Sequence, residues 1–357
     1  MAPVPLRTGL ALGPFTLGER VALGGMAEIW SATDADGREV ALKVLLPFFY
    51  AETTFRSMFQ DEVNIARRLV HPNILQVYDG HDLGGHFIQS MELVDGSDLR
   101  RLLMRLSRVG QWFPVPLALA VGLEVATALA YVHERTNDAG EPMHIVHRDI
   151  SPHNVMVTRE GVVKVLDFGI AHAAERLTNT RTGVIKGKLG YMAPEQALAE
   201  PITARVDVFA LGVVLWEMLA MQRLFKAKTE AETLELVIQA NVPSICSVND
   251  VVPDEVQTLL RQMLARDPAE RPQSMGAVEA ALRGVLVLHY PGQHDRASMA
   301  DWIAQHLAVP KRKAGGTARI VADDATSVDA TQATTTDNPV DATVPSAASS
   351  PGGPSEG

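Results

Sequence analysis

The spacing of apolar residues changes near Gly96, and this change constrains the fold more than any other feature of the sequence. Before that point five stretches show the alternating or continuously apolar pattern of β-strands, and turn-forming pairs such as Gly24-Gly25 separate them. Between the third and fourth of these, Thr53–Val70 has apolar residues at helical spacing. The predicted strands are Phe15–Val21, Ala27–Thr33, Glu39–Leu45, Leu75–Gly80 and His86–Leu93. We therefore predict a five-stranded sheet with one helix before Gly96.

The chain from Gly96 to residue 287 has mostly helical spacing. Two short apolar stretches within it, Asn154–Val157 and Val162–Val165, predict strands. The predicted helices are Leu117–Glu134, Val206–Met221, Glu230–Gln239, Val256–Leu264 and Met275–Val287. We therefore predict an α+β protein with two lobes, a small β-rich lobe over residues 15–95 and a larger α-rich lobe over residues 96–287.

Both ends of the chain lie outside the predicted lobes. Residues 1–14 lack a clear pattern and are predicted to form a loose arm. Residues 288–311 predict a helical extension around Trp302, with Ser298 as its cap, that either packs on the larger lobe or binds a partner. Residues 312–357 contain no aromatic residue and are rich in Thr, Ser, Ala, Asp and Pro, so they are predicted to be a disordered acidic tail.

Charge and cysteine content exclude several classes of protein. The net charge is −10, of which residues 320–357 carry −6, so the rest of the chain is only −4. This balance argues against a nucleic-acid partner bound by a basic surface. A single cysteine, Cys246, excludes an internal disulfide framework and favours a reducing, cytoplasmic setting. The sequence predicts neither a membrane span nor a signal peptide.

The residues that carry chemistry are concentrated in one stretch, His147 to Asn154, and in Asp167 shortly after it. Asp149 and Asn154 lie five residues apart, and Asp167 follows thirteen residues later. Such oxygen-bearing side chains could orient a hydroxyl nucleophile and hold divalent metal ions around a triphosphate, as phosphoryl transfer requires. The alternative is that Asp167 is only a turn residue after a strand.

Upstream and downstream motifs give this stretch a family resemblance. Val40-Ala41-Leu42-Lys43 on the third predicted strand is followed by Glu62 in the only predicted helix of the small lobe. With Asp167-Phe168-Gly169 and the catalytic stretch, these segments resemble bacterial serine/threonine protein kinases of the eukaryotic-like (Hanks) type over residues 15–287. Four further segments match the same family, namely His71–Ile74, Gly187–Glu195, Arg205–Val208 and Asp267–Pro272.

The resemblance implies a role for each residue of the motifs. Asp149 would accept or orient the proton of the substrate hydroxyl, and Asn154 and Asp167 would hold Mg²⁺ or Mn²⁺. Lys43, held by Glu62, would place the α- and β-phosphates of ATP. The implied fold is the two-lobed protein kinase fold, and the implied reaction is transfer of the γ-phosphate to serine or threonine hydroxyls of protein substrates.

The resemblance also implies which residues contact the nucleotide. The residues that would cover the nucleotide are Val21, Ala22, Leu23, Gly24, Gly25, Met26, Ala27, Glu28 and Ile29. Ala41 and Met156 would sandwich the adenine ring. The backbone groups of Glu92 and Leu93 would contact its edge, and Met91 would lie behind it. Ala22 and Ala27 replace the outer two glycines of the family pattern. We therefore expect weaker ATP affinity or a slightly remodelled loop. Phe168 and His147 would stack between the lobes.

One departure concerns the reaction itself. Kinases of this class usually have Lys two residues after the catalytic Asp, and here that position is Ser151. A hydroxyl supplies no positive charge to the γ-phosphate. Either Lys186 or Lys188 supplies the charge instead, or the protein is a catalytically weak pseudokinase that binds nucleotide as a scaffold.

Regulation and partners follow from the remaining features. Arg148 before the catalytic Asp predicts control by phosphorylation of Thr178, Thr180 or Thr182 in the activation segment, the alternative being a solvated polar loop. The tail contains two Thr residues, Thr326 and Thr334, each followed three residues later by an acid, which suggests phosphothreonine-reading domains as partners. A homodimer is left open.

Overall fold

One antiparallel sheet occupies the N-terminal part of the chain, and its two faces are covered by different segments. The computed structural model describes residues 4–167 and 188–306, and all statements below concern these residues. The strands are β1 (Ala11–Leu12), β2 (Phe15–Leu23), β3 (Ala27–Thr33), β4 (Glu39–Leu45), β5 (Val77–Leu83) and β6 (His86–Glu92). Their order across the sheet is β1-β2-β3-β4-β6-β5.

The register of β4 decides which side chains share a face. Ala41 pairs with Met91, and Lys43 pairs with Ile29 on one side and with Gln89 on the other. Directly paired residues of antiparallel strands point to the same face, and successive residues point to opposite faces. The single lysine of this strand therefore lies on the face with Ala41 and Met91, while the apolar residues between them enter a separate core.

Two helices cover the face that carries Lys43. They are α1 (Pro47–Ala51) and α2 (Thr53–Ala66), and α2 ends four residues before the predicted end. Phe55, Phe59 and Val63 recur at every fourth position of α2 and are buried, which is the spacing that places side chains on one side of a helix. Glu62 lies beside them in the last turn and is therefore brought to the sheet.

The predicted loose arm is wrong for residues 4–14, because this segment covers the opposite face of the sheet. Leu10 and Leu12 pack on a core that includes Trp30 and Ile88. The carbonyl of Val4 contacts His86 Nε2 at 2.8 Å, and β1 adds a sixth strand. The prediction of five strands and one helix in this lobe is corrected to six strands and two helices.

The larger lobe combines a small sheet with a helical core. Strands β7 (Gly96–Asp98), β8 (Val155–Thr158) and β9 (Val163–Val165) pair in that order. The helices are α3 (Leu99–Arg108), α4 (Val115–His133), α5 (Pro194–Ala197), α6 (Arg205–Ala220), α7 (Glu230–Gln239), α8 (Asp254–Met263), α9 (Met275–His289) and α10 (Arg296–His306). Every residue of α6 after Arg205 is buried, so this helix forms the centre of the lobe.

Helix α4 packs beside α6 and α9 at the same centre. By length and composition it is the one helix among the described residues that could cross a membrane, but most of its residues are buried inside the lobe. Its continuous apolar sequence is explained by packing on several sides.

Helix α10 packs on the larger lobe through buried Met299, Trp302 and Ile303. The ring of Trp302 lies 4.6 Å from that of Phe113. Phe113 belongs to the segment between α3 and α4, so part of that segment packs against α10. Asp295 Oδ1 accepts the N–H of Ser298, so Asp295 caps this helix and the prediction of Ser298 as the cap is wrong. The apolar face of α10 is thereby used inside the lobe.

Candidate active site

Lys43 lies between two carboxylates that come from different lobes. Its Nζ is 3.1 Å from Glu62 Oε1 and 3.0 Å from Asp167 Oδ1. The exposed fraction is 5% for the Glu62 side chain and 16% for the Lys43 side chain. The sequence prediction that Lys43 and Glu62 form a pair is what the structure shows, and Asp167 is brought to the same ammonium group.

The two carboxylates keep Lys43 charged. Burial alone would lower the pKa of Lys43, but the neighbouring charges of Asp167 and Glu62 outweigh burial and raise it well above its usual value. The ammonium group is therefore a fixed positive charge at neutral pH. A buried lysine without such partners would tend to lose its proton instead.

Asp149 and Asn154 are joined within one loop. Asn154 Nδ2 donates to the backbone carbonyl of Asp149 at 2.8 Å and to its Oδ2 at 2.6 Å. The N–H of Leu166 donates to the carbonyl of Asn154 at 2.9 Å, so the segment that ends at Asp167 is tied to this loop. The amide nitrogen of Asn154 thus donates to Asp149, and the amide oxygen Oδ1 remains an acceptor.

Asp207, at the start of α6, holds the backbone of this loop. Its carboxylate accepts the N–H groups of His147 and Arg148, both at 2.8 Å, and is fully buried. Arg148 has a φ of 67°, a strained conformation for a residue with a side chain, and these bonds compensate for it. His133 Nε2 lies 2.8 Å from the same carboxylate. His133 was not predicted, because 74 residues separate it from Asp207 and no pattern links them.

His147 is held as a neutral ring by contacts on both nitrogens. Nε2 lies 2.9 Å from the carbonyl of Leu166, and Nδ1 accepts the N–H of Asp149 at 3.3 Å. Burial lowers the pKa of His147. The ring therefore links the loop that contains Asp149 to the segment that precedes Asp167.

Lys188 brings a positive charge to Asp149, the residue near which this chain lacks the lysine that the family usually has at the position of Ser151. Its Nζ lies 2.6 Å from Asp149 Oδ2. Ser151 is fully buried, and no group in the described part of the chain bonds its Oγ. The serine hydroxyl therefore does not replace the usual lysine, whereas Lys188, from the segment before α5, reaches the carboxylate of Asp149.

The predicted adenine contacts converge on one apolar cluster. Ala41, Met91 and Met156 are buried in it, and Met26 and Ile29 pack against it from β3 and the turn before it. Val94 belongs to the same cluster and was not predicted. These residues come from both lobes, as a pocket for a flat aromatic ring requires.

The edge of this cluster limits how Glu92 can contact a base. The Glu92 N–H donates to the carbonyl of Gln76 at 2.8 Å, and its carboxylate accepts from Lys164 Nζ at 2.9 Å. The Glu92 N–H is therefore not available to a nucleotide. The prediction that backbone groups here contact the nucleotide is narrowed to the Glu92 carbonyl and the backbone of Leu93.

The turn predicted to cover the nucleotide spans Val21 to Ile29. Ala22 lies in β2 and pairs with Ile29, and Ala27 lies at the start of β3. Neither alanine has a positive φ, so the strain that a side chain at a former glycine position could cause is absent at these two positions. The N–H of Gly24 donates to the carbonyl of Ala27 at 2.9 Å and closes the turn.

Buried ionic contacts fix the segment that follows Lys188. Arg271 donates to both oxygens of Glu195 at 2.7 and 2.9 Å, and both residues are buried. The bidentate pair joins two of the segments that match the family, Gly187–Glu195 and Asp267–Pro272. Such geometry is the strongest form of this contact, so α5 is held rigidly against the helical core.

Several predicted residues lie outside the described part of the chain. They are Phe168, Thr178, Thr180, Thr182, Lys186, Thr326 and Thr334, together with the tail over residues 312–357.

Asn154 and Asp167 are suited to a divalent cation. Amide and carboxylate oxygens are the hard donors that Mg²⁺ and Mn²⁺ prefer. Among the described residues no group of three His, Cys, Asp or Glu side chains could hold a metal by itself. Such a site fits a metal that takes its other ligands from nucleotide phosphates and water.

Comparison with known proteins shows that the chain is similar to protein kinases. The family model described as "Protein kinase domain" matches residues 15–282. The chain is 40% identical over 284 residues to the tyrosine-protein kinase MasK of Myxococcus xanthus, covering 78% of this chain and 44% of that protein. It is 32% identical over 284 residues to the serine/threonine-protein kinase PknD of Mycobacterium tuberculosis, covering 78% of this chain and 41% of that protein.

The chain is also similar to solved structures of protein kinase domains. The chain aligns with the PknI kinase domain of Mycobacterium tuberculosis at a TM-score of 0.61 and 26% identity, covering 78% of this chain and 99% of that one. The chain spans less than half the length of the two curated relatives named above.

Proposed function

This chain belongs to the protein kinase family, and we propose that it is an active enzyme that transfers the γ-phosphate of ATP to serine and threonine hydroxyls of proteins. One observation carries the proposal: Lys43 contacts both Glu62 and Asp167. This arrangement joins the two lobes across the site where the family binds the phosphates of ATP. A scaffold that only binds nucleotide could use the same contacts, so Asp149 and the lysine beside it distinguish an active enzyme from a scaffold.

The side chains divide the work of the reaction. Lys43 positions the α- and β-phosphates, and Glu62 keeps Lys43 in place. Asp149, oriented by the amide of Asn154, accepts the proton of the attacking hydroxyl as the phosphoryl group is transferred. Asp207 holds the loop in the geometry that this transfer requires.

Protein kinases use ATP with a divalent metal ion, and we propose Mg²⁺, with Mn²⁺ as the substitute, for this chain. When bound, the metal neutralises charge on the phosphates. Asn154 and Asp167 would hold it.

Lys188 supports an active enzyme against the alternative of a nucleotide-binding scaffold. The usual lysine contacts the catalytic Asp and the γ-phosphate, and Lys188 already contacts Asp149 at 2.6 Å. Because its side chain is one-third exposed, it can also reach a bound phosphate at the mouth of the site. We therefore propose that the positive charge missing at Ser151 is supplied by Lys188.

The class of hydroxyl is tested by direct identification of the phosphorylated residue. The purified chain is incubated with ATP, Mg²⁺ and a mixture of peptides, and the modified positions are mapped by mass spectrometry. We expect phosphoserine and phosphothreonine. Asp138→Asn, at an exposed turn, serves as the matched control for Asp149→Asn, which should abolish the signal.

Tyrosine is the second candidate acceptor, because the relative that is 40% identical is named a tyrosine-protein kinase. Exclusive phosphotyrosine in the same experiment would establish this alternative and contradict the proposed serine/threonine specificity.

We also propose regulation by autophosphorylation at Thr178, Thr180 or Thr182. The supporting observation is Arg148, whose side chain is exposed and makes no ion pair with any described residue. A phosphate on the segment could pair with this guanidinium group and order the segment. The proposed setting is the cytoplasm, and phosphothreonine-reading domains that bind the tail are proposed partners.

A further inference from the structure

A surface cavity of about 310 Å³ lies beside the catalytic loop, between α3 and the end of α6. Its wall includes Arg100, Arg108 and Arg223 together with Pro152 of the loop. The apolar side chains of Leu103 and Met221 also line it. The cavity therefore combines cationic groups with an apolar wall, as a site for a side chain of a polypeptide does.

Among the described residues that line the cavity there is one carboxylate, and it is already used inside the protein. Glu217 is buried and accepts from Tyr191 Oη at 2.6 Å, from Arg223 Nε at 2.9 Å and from the N–H of Leu224 at 3.0 Å. Arg223 also stacks on the ring of Tyr191, with 4.8 Å between the guanidinium carbon and the ring centre. The charges of Glu217 and Arg223 thus offset each other.

Arg100 and Arg108 add positive charge that nothing in the wall offsets. Neither guanidinium group forms an ion pair with a residue in the described ranges 4–167 and 188–306. Arg100 is half-buried and Arg108 is exposed. The described residues of the wall consequently carry a net charge of about +2, because the charges of Arg100 and Arg108 are not balanced by a carboxylate among them.

The cavity is close to the reacting residue. The N–H of Arg100 donates to the carbonyl of Pro152 at 3.1 Å, and Pro152 is three residues from Asp149 along the loop. Pro152 also lines the cavity, so the cavity and the loop that contains Asp149 are adjacent.

We propose that this cavity selects protein substrates by binding an acidic side chain that lies within about three residues of the phosphorylated hydroxyl, a separation of at most about 11 Å in an extended chain. The carboxylate would face Arg100, and the neighbouring methylene groups would contact Leu103 and Met221. This inference rests on the proposed kinase function and adds the substrate class. It would make the enzyme an acid-directed kinase.

The test compares peptides that differ in one charge. A neutral peptide with a single acceptor is compared with versions that carry Asp or Lys at each of the four positions on either side. We expect Asp at one or more positions within three residues to lower KM about five-fold, as for a partly exposed charge pair of roughly 1 kcal/mol. Lys at the same positions should raise KM. A phosphoserine arm shows whether the site prefers a phosphate to a carboxylate, and a phosphate-only preference would overturn the carboxylate assignment.

A charge reversal identifies the residue responsible. Arg100→Glu should remove the preference for Asp and create one for Lys at the same peptide position. Arg105→Glu is the matched control, because Arg105 is on the same helix and exposed but does not line the cavity. An unchanged peptide preference in Arg100→Glu, or an equal change in Arg105→Glu, would overturn the proposal.

Binding measurements separate this inference from the proposed function. Fluorescence anisotropy of the labelled acidic peptide requires no phosphate transfer. Loss of phosphorylation for every peptide, with binding of the acidic peptide still weakened by Arg100→Glu, would contradict the kinase function and support the cavity. Equal binding of acidic and neutral peptides would contradict the cavity whatever the activity.

Discussion

Lys188 Nζ and Asp149 Oδ2 lie 2.6 Å apart although 39 residues separate them in the chain. The sequence identified both Lys186 and Lys188 as sources of the missing charge, because a departure at Ser151 requires a cation and both residues are near in the same segment. It had no means to choose between them. The choice depends on where the chain runs after the activation segment, which contacts far away in sequence decide.

Replacement of Lys188 tests its contribution at the residue scale. We expect Lys188→Met to lower kcat about 10²- to 10³-fold, as removal of a charge contact to the transition state does, with the Kd for ATP nearly unchanged. Lys226→Met, at an exposed lysine of the same lobe, should have no effect. The measurement is steady-state phosphorylation of a peptide, with ATP binding by calorimetry.

A double variant gives the reverse test. Ser151→Lys combined with Lys188→Met should recover part of the kcat lost in Lys188→Met, because the charge returns to the usual position. Activity of Lys188→Met within two-fold of the parent would show that Lys188 has no catalytic role.

His153 predicts a pH effect on stability. Its folded pKa of about 4 lies below the unfolded value of 6.5, so between these values the unfolded chain binds more protons and the free energy of unfolding falls as pH decreases. His153→Gln should therefore lose less stability than the parent between pH 6.5 and pH 4.5 in urea unfolding. His144→Gln, an exposed histidine of the same region, is the control, and equal slopes for the parent and His153→Gln would contradict the assignment.

At the scale of secondary structure, most of the longer elements were predicted, and of the short strands β8 and β9 were predicted while β1 and β7 were not. Strands β3 and β4 and helix α7 begin and end where the sequence predicts, because alternation or helical spacing continues over at least seven residues. Strands β1 and β7 contain two and three residues, too few to show a period. Helix α3 was missed although Leu99, Leu102 and Leu106 recur at helical spacing, since four arginines among its ten residues hide the pattern.

Part of the candidate site could be predicted from motifs. Lys43, Glu62, Asp149, Asn154 and Asp167 all lie in motifs, and the structure brings Lys43 to Glu62 and Asp167 and brings Asn154 to Asp149. His133, Val94 and the cationic cavity carry no motif, because their roles come from packing between distant segments.

Helix α10 is predicted to stabilise the larger lobe rather than to bind a partner. Trp302→Ala should lower the free energy of unfolding by about 3 kcal/mol, since it removes a large buried ring that packs on Phe113. Gln305→Ala, exposed on the same helix, should change it by less than about 0.5 kcal/mol. Chemical denaturation followed by intrinsic fluorescence or circular dichroism measures both, and equal small effects would show that α10 contributes little to the fold.

At the scale of the whole molecule, the structure concentrates its buried charge at the junction of the lobes and around the catalytic loop. The overall charge of −10 gives no indication of this, because most of the excess acid lies in residues 320–357. Positive side chains nevertheless lie beside the catalytic loop, since Lys188 contacts Asp149 and Arg100 lines the adjacent cavity. An acidic protein with a cationic site is suited to anionic nucleotides and acid-containing polypeptides.

Phosphorylation should change the behaviour of the whole enzyme through Arg148. If a phosphate on the segment pairs with this guanidinium group, Arg148→Gln should lose the increase in activity that follows preincubation with ATP, while retaining the activity of the phosphatase-treated parent. The measurement is peptide phosphorylation before and after phosphatase treatment. An equal increase in the variant would contradict this form of regulation.

The most direct test of the account measures nucleotide binding and phosphate transfer in the same preparations. The parent chain and Asp149→Asn are titrated with ATP and Mg²⁺ by calorimetry, and transfer of labelled γ-phosphate to protein is then followed with Mg²⁺ or Mn²⁺. The account predicts similar ATP affinity for both, with transfer by the parent and none by Asp149→Asn. ATP binding by a correctly folded parent that transfers no phosphate with either metal would contradict the account and identify the protein as a nucleotide-binding scaffold.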